Sequence, residues 1–378
     1  MNILCLNKIS PVGMKVLPST YKTTEDINDA DAILVRSAAM HEITLPQRVK
    51  AVARAGAGVN NIPLDVYARA GVVVFNTPGA NANAVKELTI ASMLLAARDI
   101  RGSMEWVKEN KGDVAINKSM EKAKGAFAGT EILGKTLGVI GLGAIGALVA
   151  QAAGGLGMHV IGVEPSKVTI EKNQHLFPKD IEIVSYDEMY ARADYISIHV
   201  PLLDATKGMI NKEAFGKMKD GVIIVNCARD AIVNDDDLEE AIKTGKVRKY
   251  VTDFPNHKTA NMEGVIAISH LGASTEEAED NCAAMAAKQV VDYIENGNII
   301  NSVNYPRLDL GRKEGKRVVV LFEGDRINDV TDIVNRAGIT KMTSGSKGAF
   351  GALLAEVSGN VDEAALKAIE GVTRVVIL

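Results

Sequence analysis

A glycine cluster, Gly141-Leu142-Gly143-Ala144-Ile145-Gly146, stands directly after the apolar run Leu137 to Ile140, and an acidic residue, Glu164, lies 21 positions beyond Gly143. In a strand–turn–helix setting each of these positions has a physical task. Gly141 permits a tight turn, Gly143 lets the backbone approach a pyrophosphate, and Gly146 lets a helix pack close to the strand before it. The run from Ala144 to Ala153 reads as that helix, and its first unpaired N–H groups carry a partial positive charge suited to phosphate. His159 to Val163 reads as a second strand ending at Glu164. A carboxylate there accepts hydrogen bonds from ribose hydroxyls and repels a 2′-phosphate, so NAD is expected rather than NADP. Tight helix–strand packing alone could also explain the glycines; the context and the spacing to Glu164 favour the dinucleotide. Gly141, Gly143, Ala144, Ile145, Gly146 and Glu164 are therefore the first candidate cofactor residues.

A second group could handle anions. Arg36 and Ser37 follow the apolar run Ala32 to Val35, and Arg54 ends another, so both arginines are expected at the C-terminal edge of a sheet, where ligands gather in such folds. The glycines within Arg54-Ala55-Gly56-Ala57-Gly58 can turn backbone N–H groups toward an anion. A surface ion pair is the competing role for each arginine.

These residues need a scaffold, and the bulk properties constrain it. At 378 residues the chain exceeds one ordinary core, so two or three domains are expected. A net charge of -4 and a pI near 6.0 argue against a nucleic-acid binder. Three widely spaced cysteines, Cys5, Cys227 and Cys282, suggest a reducing compartment, hence the cytoplasm, and no disulfide framework. No zinc-type spacing is present, so no metal is expected. The N-terminal apolar run is too short for a signal peptide. Leu137 to Val163 lacks Asp, Glu, Lys and Arg, a length that could span a bilayer, but its eight glycines at turn-forming spacing favour strand, turn and helix.

Asn2 to Asn7, Ala32 to Val35, Val49 to Arg54 and Val72 to Asn76 read as strands; Asp65 to Ala70 and Ala84 to Arg98 read as helices. Arg101 to Gly125 reads as charged and less ordered. A second alternating series runs from Gly134 to about Ser274, closed by a helix from Glu276 to Asn296. Such alternation predicts parallel sheets covered by helices. Tyr305 to Lys316 reads as an exposed linker to a small separate module of order strand–helix–strand–strand–helix–strand, a ferredoxin-like pattern. The expected fold is α/β with two doubly wound domains: a flavodoxin-like substrate domain over 1–98, completed by about 276–305, and a Rossmann NAD domain over 99–275. The ferredoxin-like domain follows over 317–378.

The glycine motif, together with Arg54-Ala55-Gly56-Ala57-Gly58-Val59-Asn60-Asn61, Asn76-Thr77-Pro78-Gly79, His199-Val200-Pro201-Leu202, Asn226-Cys227-Ala228-Arg229 and His270-Leu271-Gly272-Ala273-Ser274-Thr275, resembles the D-isomer-specific 2-hydroxyacid dehydrogenases. The resemblance covers most of residues 1 to 306, in motif order. It implies hydride transfer between NAD and C2 of a small acid. Such chemistry needs a base for the hydroxyl proton and a cation to hold the carboxylate and polarise the developing carbonyl. The resemblance makes His270 the base and Arg229 the cation. It adds His199, Val200, Pro201 and Thr206 as cofactor contacts. Cys227, Ala228, Arg229, Asp253, His270 and Gly272 complete that set, with Asp253 facing the nicotinamide carboxamide. It gives Arg36 and Arg54 a substrate phosphate and Ala55, Gly56, Ala57 and Gly58 its carboxylate, with Ser37 also among the substrate residues. D-3-phosphoglycerate is the leading substrate implied. Glyoxylate, hydroxypyruvate and 2-hydroxyglutarate are alternatives, as is a non-catalytic NAD-sensing partner role.

Two departures from the family pattern are visible. A glutamate that orients the histidine normally follows the segment beginning at Asp253, whereas here Asp253-Phe254-Pro255 runs into Asn256-His257-Lys258. Glu263 is the candidate replacement, with water or a backbone carbonyl as alternatives. Asp230-Ala231 replaces the usual Gly-Gly after the arginine. The tail resembles an ACT regulatory module in pattern, which implies an amino-acid effector and a homodimer or homotetramer.

Overall fold

The computed structural model describes residues 1–378, which form two compact units: Met1–Asn81 with Glu276–Leu378, and Ala82–Thr275. In the first unit, β1 (Asn2–Cys5), β2 (Lys22–Thr24), β3 (Ala32–Val35), β4 (Ala51–Arg54) and β5 (Val73–Phe75) form a parallel sheet of order β2-β1-β3-β4-β5. All four side chains of β3 are fully buried, as expected of a strand covered on both faces. The helix Glu276–Asn296 supplies one cover through Cys282, Ala286, Val290, Tyr293 and Ile294.

The second unit begins with the helix Ala82–Ala97, assigned by sequence to the first domain. Seven parallel strands follow: β6 (Thr136–Ile140), β7 (His159–Val163), β8 (Glu182–Ile183), β9 (Tyr195–Ile198), β10 (Val222–Asn226), β11 (Val247–Thr252) and β12 (Val265–Ala267). Their order is β12-β11-β10-β9-β6-β7-β8. The chain reverses its direction of travel across the sheet between β6 and β9, so a crevice opens at their C-terminal ends.

The stretch expected to be less ordered instead holds two helices, Ile100–Glu109 and Ile116–Ala123. Asp99 caps the first by accepting from the Gly102 N–H, and Arg101 pairs with Glu105 one turn on. Neither helix buries a residue, and both carry many charged side chains, so the stretch reads as charged surface although its apolar residues do fall on one face. No helix of the protein is long and apolar enough to cross a membrane.

The tail comprises β13 (Lys316–Glu323), β14 (Ile339–Lys347), β15 (Phe350–Val357) and β16 (Val372–Ile377), antiparallel in the order β14-β15-β13-β16, with helices Ile327–Asn335 and Glu363–Lys367. Two expectations need correction: the segment before the tail is exposed over 311–316 as expected but is anchored by the buried Tyr305, Pro306 and Leu308, and the tail is not separate from the first unit. Strand alternation explains why. Val318, Val320 and Phe322 join a core with the tail's own helices, whereas Val319 and Leu321 join the core containing Leu34, Ala53 and Phe75. Tyr305 is fully buried, and its hydroxyl donates to the Ala68 carbonyl at 2.6 Å and meets Thr373 Oγ1 at 3.2 Å.

Candidate active site

Two of the three motif glycines have a steric reason within the chain, and the third faces open space. Gly141 adopts φ 87°, and a Cβ there would lie 2.9 Å from both the His199 carbonyl oxygen and Val200 Cγ1. At Gly146 a Cβ would sit 1.9 Å from the Gly141 carbonyl, so only glycine allows the helix Ala144–Gly155 to approach β6 this closely. At Gly143, the helix N-cap, a Cβ would meet nothing within 4 Å: the space in front of the exposed N–H groups is open. Those groups therefore suit an anion that approaches the backbone. Glu164, following β7, accepts from the Leu142 and Ser166 N–H groups, each at 3.0 Å, which fixes its carboxylate beside the glycine turn.

His199 closes the opposite side of that turn. Burial pushes its imidazole down to about 3, so the ring is neutral, and it meets Ser197 Oγ at 2.6 Å. The loop beyond it is pinned by Thr206, whose hydroxyl donates to the Pro201 carbonyl at 2.6 Å and accepts from the Leu203 N–H at 2.8 Å. Thr206 thus shapes the loop that carries Val200 and Pro201. Cys227 is buried below the edge of the sheet, and burial pushes its thiol up to about 12, so it behaves as a small apolar residue.

The two residues expected to react, Arg229 and His270, follow the C-terminal ends of β10 and β12. Asn226, fully buried, folds the turn after β10: its amide donates to the Arg229 carbonyl at 2.8 Å and to Tyr250 Oη at 2.9 Å, and its oxygen accepts from the Ala228 N–H. The Arg229 guanidinium donates to the Ala228 carbonyl, with Cζ 4.9 Å from the centroid of the Phe254 ring. His270 also packs on Phe254, the two ring centroids 4.2 Å apart with 44° between planes. His270 is exposed and holds φ 42°, a rare conformation for a residue with a side chain. Asp253 holds the backbone there on both sides. Its carbonyl accepts from the His270 N–H at 2.8 Å, and its carboxylate accepts from the Gly272 N–H at 2.9 Å. Burial raises the Asp253 pKa, against the opposing pull of that N–H and of the charges on His270 and Arg229. Its Oδ1 is buried and has no partner within the chain.

Glu263 does not serve as the replacement carboxylate. It is exposed just before β12 begins, whereas His270 follows the end of that strand, so the length of β12 separates them. A shortened loop cannot bring a residue from one edge of a sheet to the other.

In the first unit, Arg36 and Arg54 lie at the ends of neighbouring strands, with Val35 registered against Arg54. Arg36 forms a 2.7 Å ion pair with Glu279, and Arg54 Nε donates to the Arg36 carbonyl at 3.0 Å. A Cβ at Gly56 would lie 2.0 Å from Arg54 Nη1, so glycine makes room for that guanidinium. The expected anion nest is smaller than the sequence implied. Ser37 gives its N–H to Asn7 Oδ1, Ala55 gives its N–H to Val35, and Gly56 gives its N–H to Arg54. Only the N–H groups of Ala57 and Gly58 remain outside such bonds.

The model of the D-isomer specific 2-hydroxyacid dehydrogenase NAD-binding domain matches residues 90–272. D-3-phosphoglycerate dehydrogenase of Mycobacterium tuberculosis is 34% identical over 382 residues, covering 94% of this chain and 69% of the relative. This chain belongs to the D-isomer-specific 2-hydroxyacid dehydrogenase family. Hydroxypyruvate reductase of Thermotoga maritima is 38% identical over 265 residues, covering 67% of this chain and 81% of the relative. Against D-3-phosphoglycerate dehydrogenase of Mycobacterium leprae, 36% identical, the chain spans 59% of the relative's length. Among solved structures, an NAD+-bound 3-phosphoglycerate dehydrogenase of Entamoeba histolytica aligns with TM-score 0.63 and 28% identity, over 82% of this chain and 99% of the other.

The matched domain is an NAD-binding one, and it includes the glycine turn and Glu164. Three residues that pack around the candidate site, Asn226, Tyr250 and Phe254, were not among the expected site residues. Asn226 was quotable only as part of a motif, although a lone buried amide closing an apolar strand is itself a signal. Tyr250 reads as core until its hydroxyl is seen to accept from Asn226. Phe254 stands in the sequence only as part of the departure after Asp253.

Proposed function

We propose that the chain oxidises D-3-phosphoglycerate at C2 to 3-phosphohydroxypyruvate, the step that opens serine biosynthesis. The observation that supports this most is the placement of His270 and Arg229 at strand ends of the NAD-binding unit, both against one aromatic ring. His270 accepts the hydroxyl proton as the C2 carbonyl forms, and its exposed ring is free to return that proton to water. Arg229 holds the carboxylate through its forked donors and stabilises negative charge on the developing carbonyl oxygen. NAD, when bound, accepts the hydride from C2. The residues present fit it: open backbone donors at Gly143 for the pyrophosphate, Glu164 for the ribose, and the unpartnered Asp253 Oδ1 for the carboxamide.

The phosphate reading rests on Arg36, Arg54 and the names of the relatives. The Arg36–Glu279 pair is half-exposed and worth at most about 1 kcal/mol, so a dianion can displace it. A second reading, an unphosphorylated 2-hydroxy acid as substrate, draws on that same pair and on the hydroxypyruvate reductase relative. NADH absorbance with each acid separates them. With 3-phosphoglycerate we expect turnover, reduced on the order of a hundred- to ten-thousand-fold in His270→Ala. Arg54→Ala is expected to lower kcat/KM for the phosphorylated acid on the order of tenfold to a hundredfold while sparing glycerate. Equal losses on both acids would remove the phosphate assignment, and no turnover with any 2-hydroxy acid would favour a non-catalytic NAD sensor.

The tail is proposed to act as an ACT-like module that takes an amino-acid effector. Its first loop, Phe322 to Arg326, lacks an Asn-x-Pro-Gly turn, so serine is expected to give no heat in a calorimetric titration. A homodimer or homotetramer in the cytoplasm completes the proposal.

A further inference from the structure

The dehydrogenase reading requires His270 to hold one orientation, yet no carboxylate bonds to its ring and Glu263 lies at the other end of β12. The backbone at His270 is fixed by Asp253 and strained at φ 42°, but a fixed backbone does not fix χ1 and χ2. The group in contact with the imidazole is Phe254, at 4.2 Å between centroids, and the same ring carries the Arg229 guanidinium at 4.9 Å. Pro255 follows directly and restricts the backbone conformation at Phe254. The side chain is half-buried, so its position is set by packing rather than by solvent.

We infer that Phe254 is the positioning residue of this active site: one aromatic ring orients both the general base and the carboxylate-binding cation, in place of a hydrogen-bonding carboxylate. This rests on the function proposed above and extends it to the residue that aligns the pair. The physics differs from that of an orienting carboxylate. A ring face attracts the guanidinium through its quadrupole, a tilted ring-to-ring contact restricts the imidazole, and the ring brings no negative charge. Both contacts fail together when the ring is removed, so binding and chemistry are disturbed by one substitution.

The test compares Phe254→Leu with Phe254→Tyr in the full chain. His270 lies within the ring current of Phe254, so its imidazole proton resonances, assigned through His270→Asn, are expected to move when leucine replaces the ring and to stay near their original positions with tyrosine. With Phe254→Leu, kcat is expected to fall on the order of tenfold to a hundredfold, the scale of an ångström-level misplacement, and KM for the acid to rise. NAD affinity, measured by fluorescence titration, is expected to remain within about twofold, which separates misalignment from general damage. Phe254→Tyr is expected to recover most of kcat. Should the leucine variant not fold, Phe254→Met, unbranched and of similar volume, takes its place. Wild-type kcat and unmoved His270 resonances in the leucine variant would overturn the inference and leave the dehydrogenase reading intact. If the unsubstituted chain reduces NAD with no 2-hydroxy acid, the functional reading fails, and the resonances alone then decide whether Phe254 orients His270.

Discussion

Asp253 is 1% exposed, and its carboxylate faces the Gly272 N–H on one oxygen and no partner on the other. Burial raises its pKa, and the Gly272 N–H, His270 and Arg229 only partly offset this. The sign follows from linkage. Below the ordinary aspartate value of about 3.9, the group is protonated whether the chain is folded or not, and its ionisation costs nothing. As pH rises through that value and on past the raised folded one, the unfolded chain ionises first and the folded state loses relative stability. Asp253→Asn keeps an acceptor for Gly272 and never ionises, so its advantage over the unsubstituted chain should grow across this window and then level off. Each unit of elevation is worth about 1.4 kcal/mol, or roughly 2–4 °C in a unit of 150–250 residues. Thermal melts at pH 4 and pH 7 check it, and a constant difference between the two chains would mean that Asp253 titrates normally. The same substitution places an amide beside the expected nicotinamide carboxamide, so weaker NAD binding should accompany the added stability.

Among the elements, those with a buried apolar pattern were readable and those without one were not. β3, β7 and the helix Glu276–Asn296 have the bounds the sequence predicts, because runs of Val, Ile and Leu or a helical period end at residues that break them. The polar edge strand β2 and the helices over 100–123 bury little; β2 has no apolar pattern, and the helices' apolar stripe is set among charges that read as exposed surface. The site divides in the same way. The glycine turn is local in sequence and legible, whereas the tilted packing of Phe254 against His270 depends on how the chain crosses from β11 to β12. Arg317 is a buried element-level contact that no periodicity announces. Its guanidinium donates to the carbonyls of Asn296, Leu310, Gly311 and Arg312, and to Glu356 at 2.9 Å, joining a helix end, the connecting segment and the tail sheet. Burial alone would raise the Glu356 pKa, but the Glu314 N–H and the Arg317 charge outweigh it and hold the carboxyl below its ordinary value. That pair therefore stabilises the fold above the unfolded glutamate pKa of about 4.3, and the contribution is lost as pH falls through the lowered folded value. Arg317→Ala leaves a buried carboxylate and four carbonyls without their donor, a loss of about 3–5 kcal/mol. Hydrogen exchange should report it as faster exchange across β13 and β15, with β6 to β12 unchanged. Uniform acceleration in both sheets would show that the pair stabilises more than its own unit.

At the scale of the molecule, the tail's place within the first unit changes what its removal should do. A regulatory module on an exposed linker could be deleted with its enzyme left intact. Here Gly71 is closed over by Arg374 and Thr373, the Arg374 guanidinium donates to the Gln47 carbonyl, and Lys347 donates to the Ser302 carbonyl. Val319, Leu321, Phe350 and Leu354 share a core with Phe75, Tyr293 and Tyr305. Full burial of such a side chain is worth roughly 1.5–3 kcal/mol, so losing these four removes several kcal/mol from a unit whose total stability is on the order of 5–15. It also bares a contiguous apolar patch of the kind that drives association. A chain ending at Gly311 should therefore aggregate, bind a hydrophobic dye and lose dehydrogenase turnover, while NAD affinity persists in whatever fraction stays soluble, because the glycine turn and Glu164 belong to the other unit. A soluble, fully active truncation that binds no dye would show instead that the first sheet needs no cover from the tail.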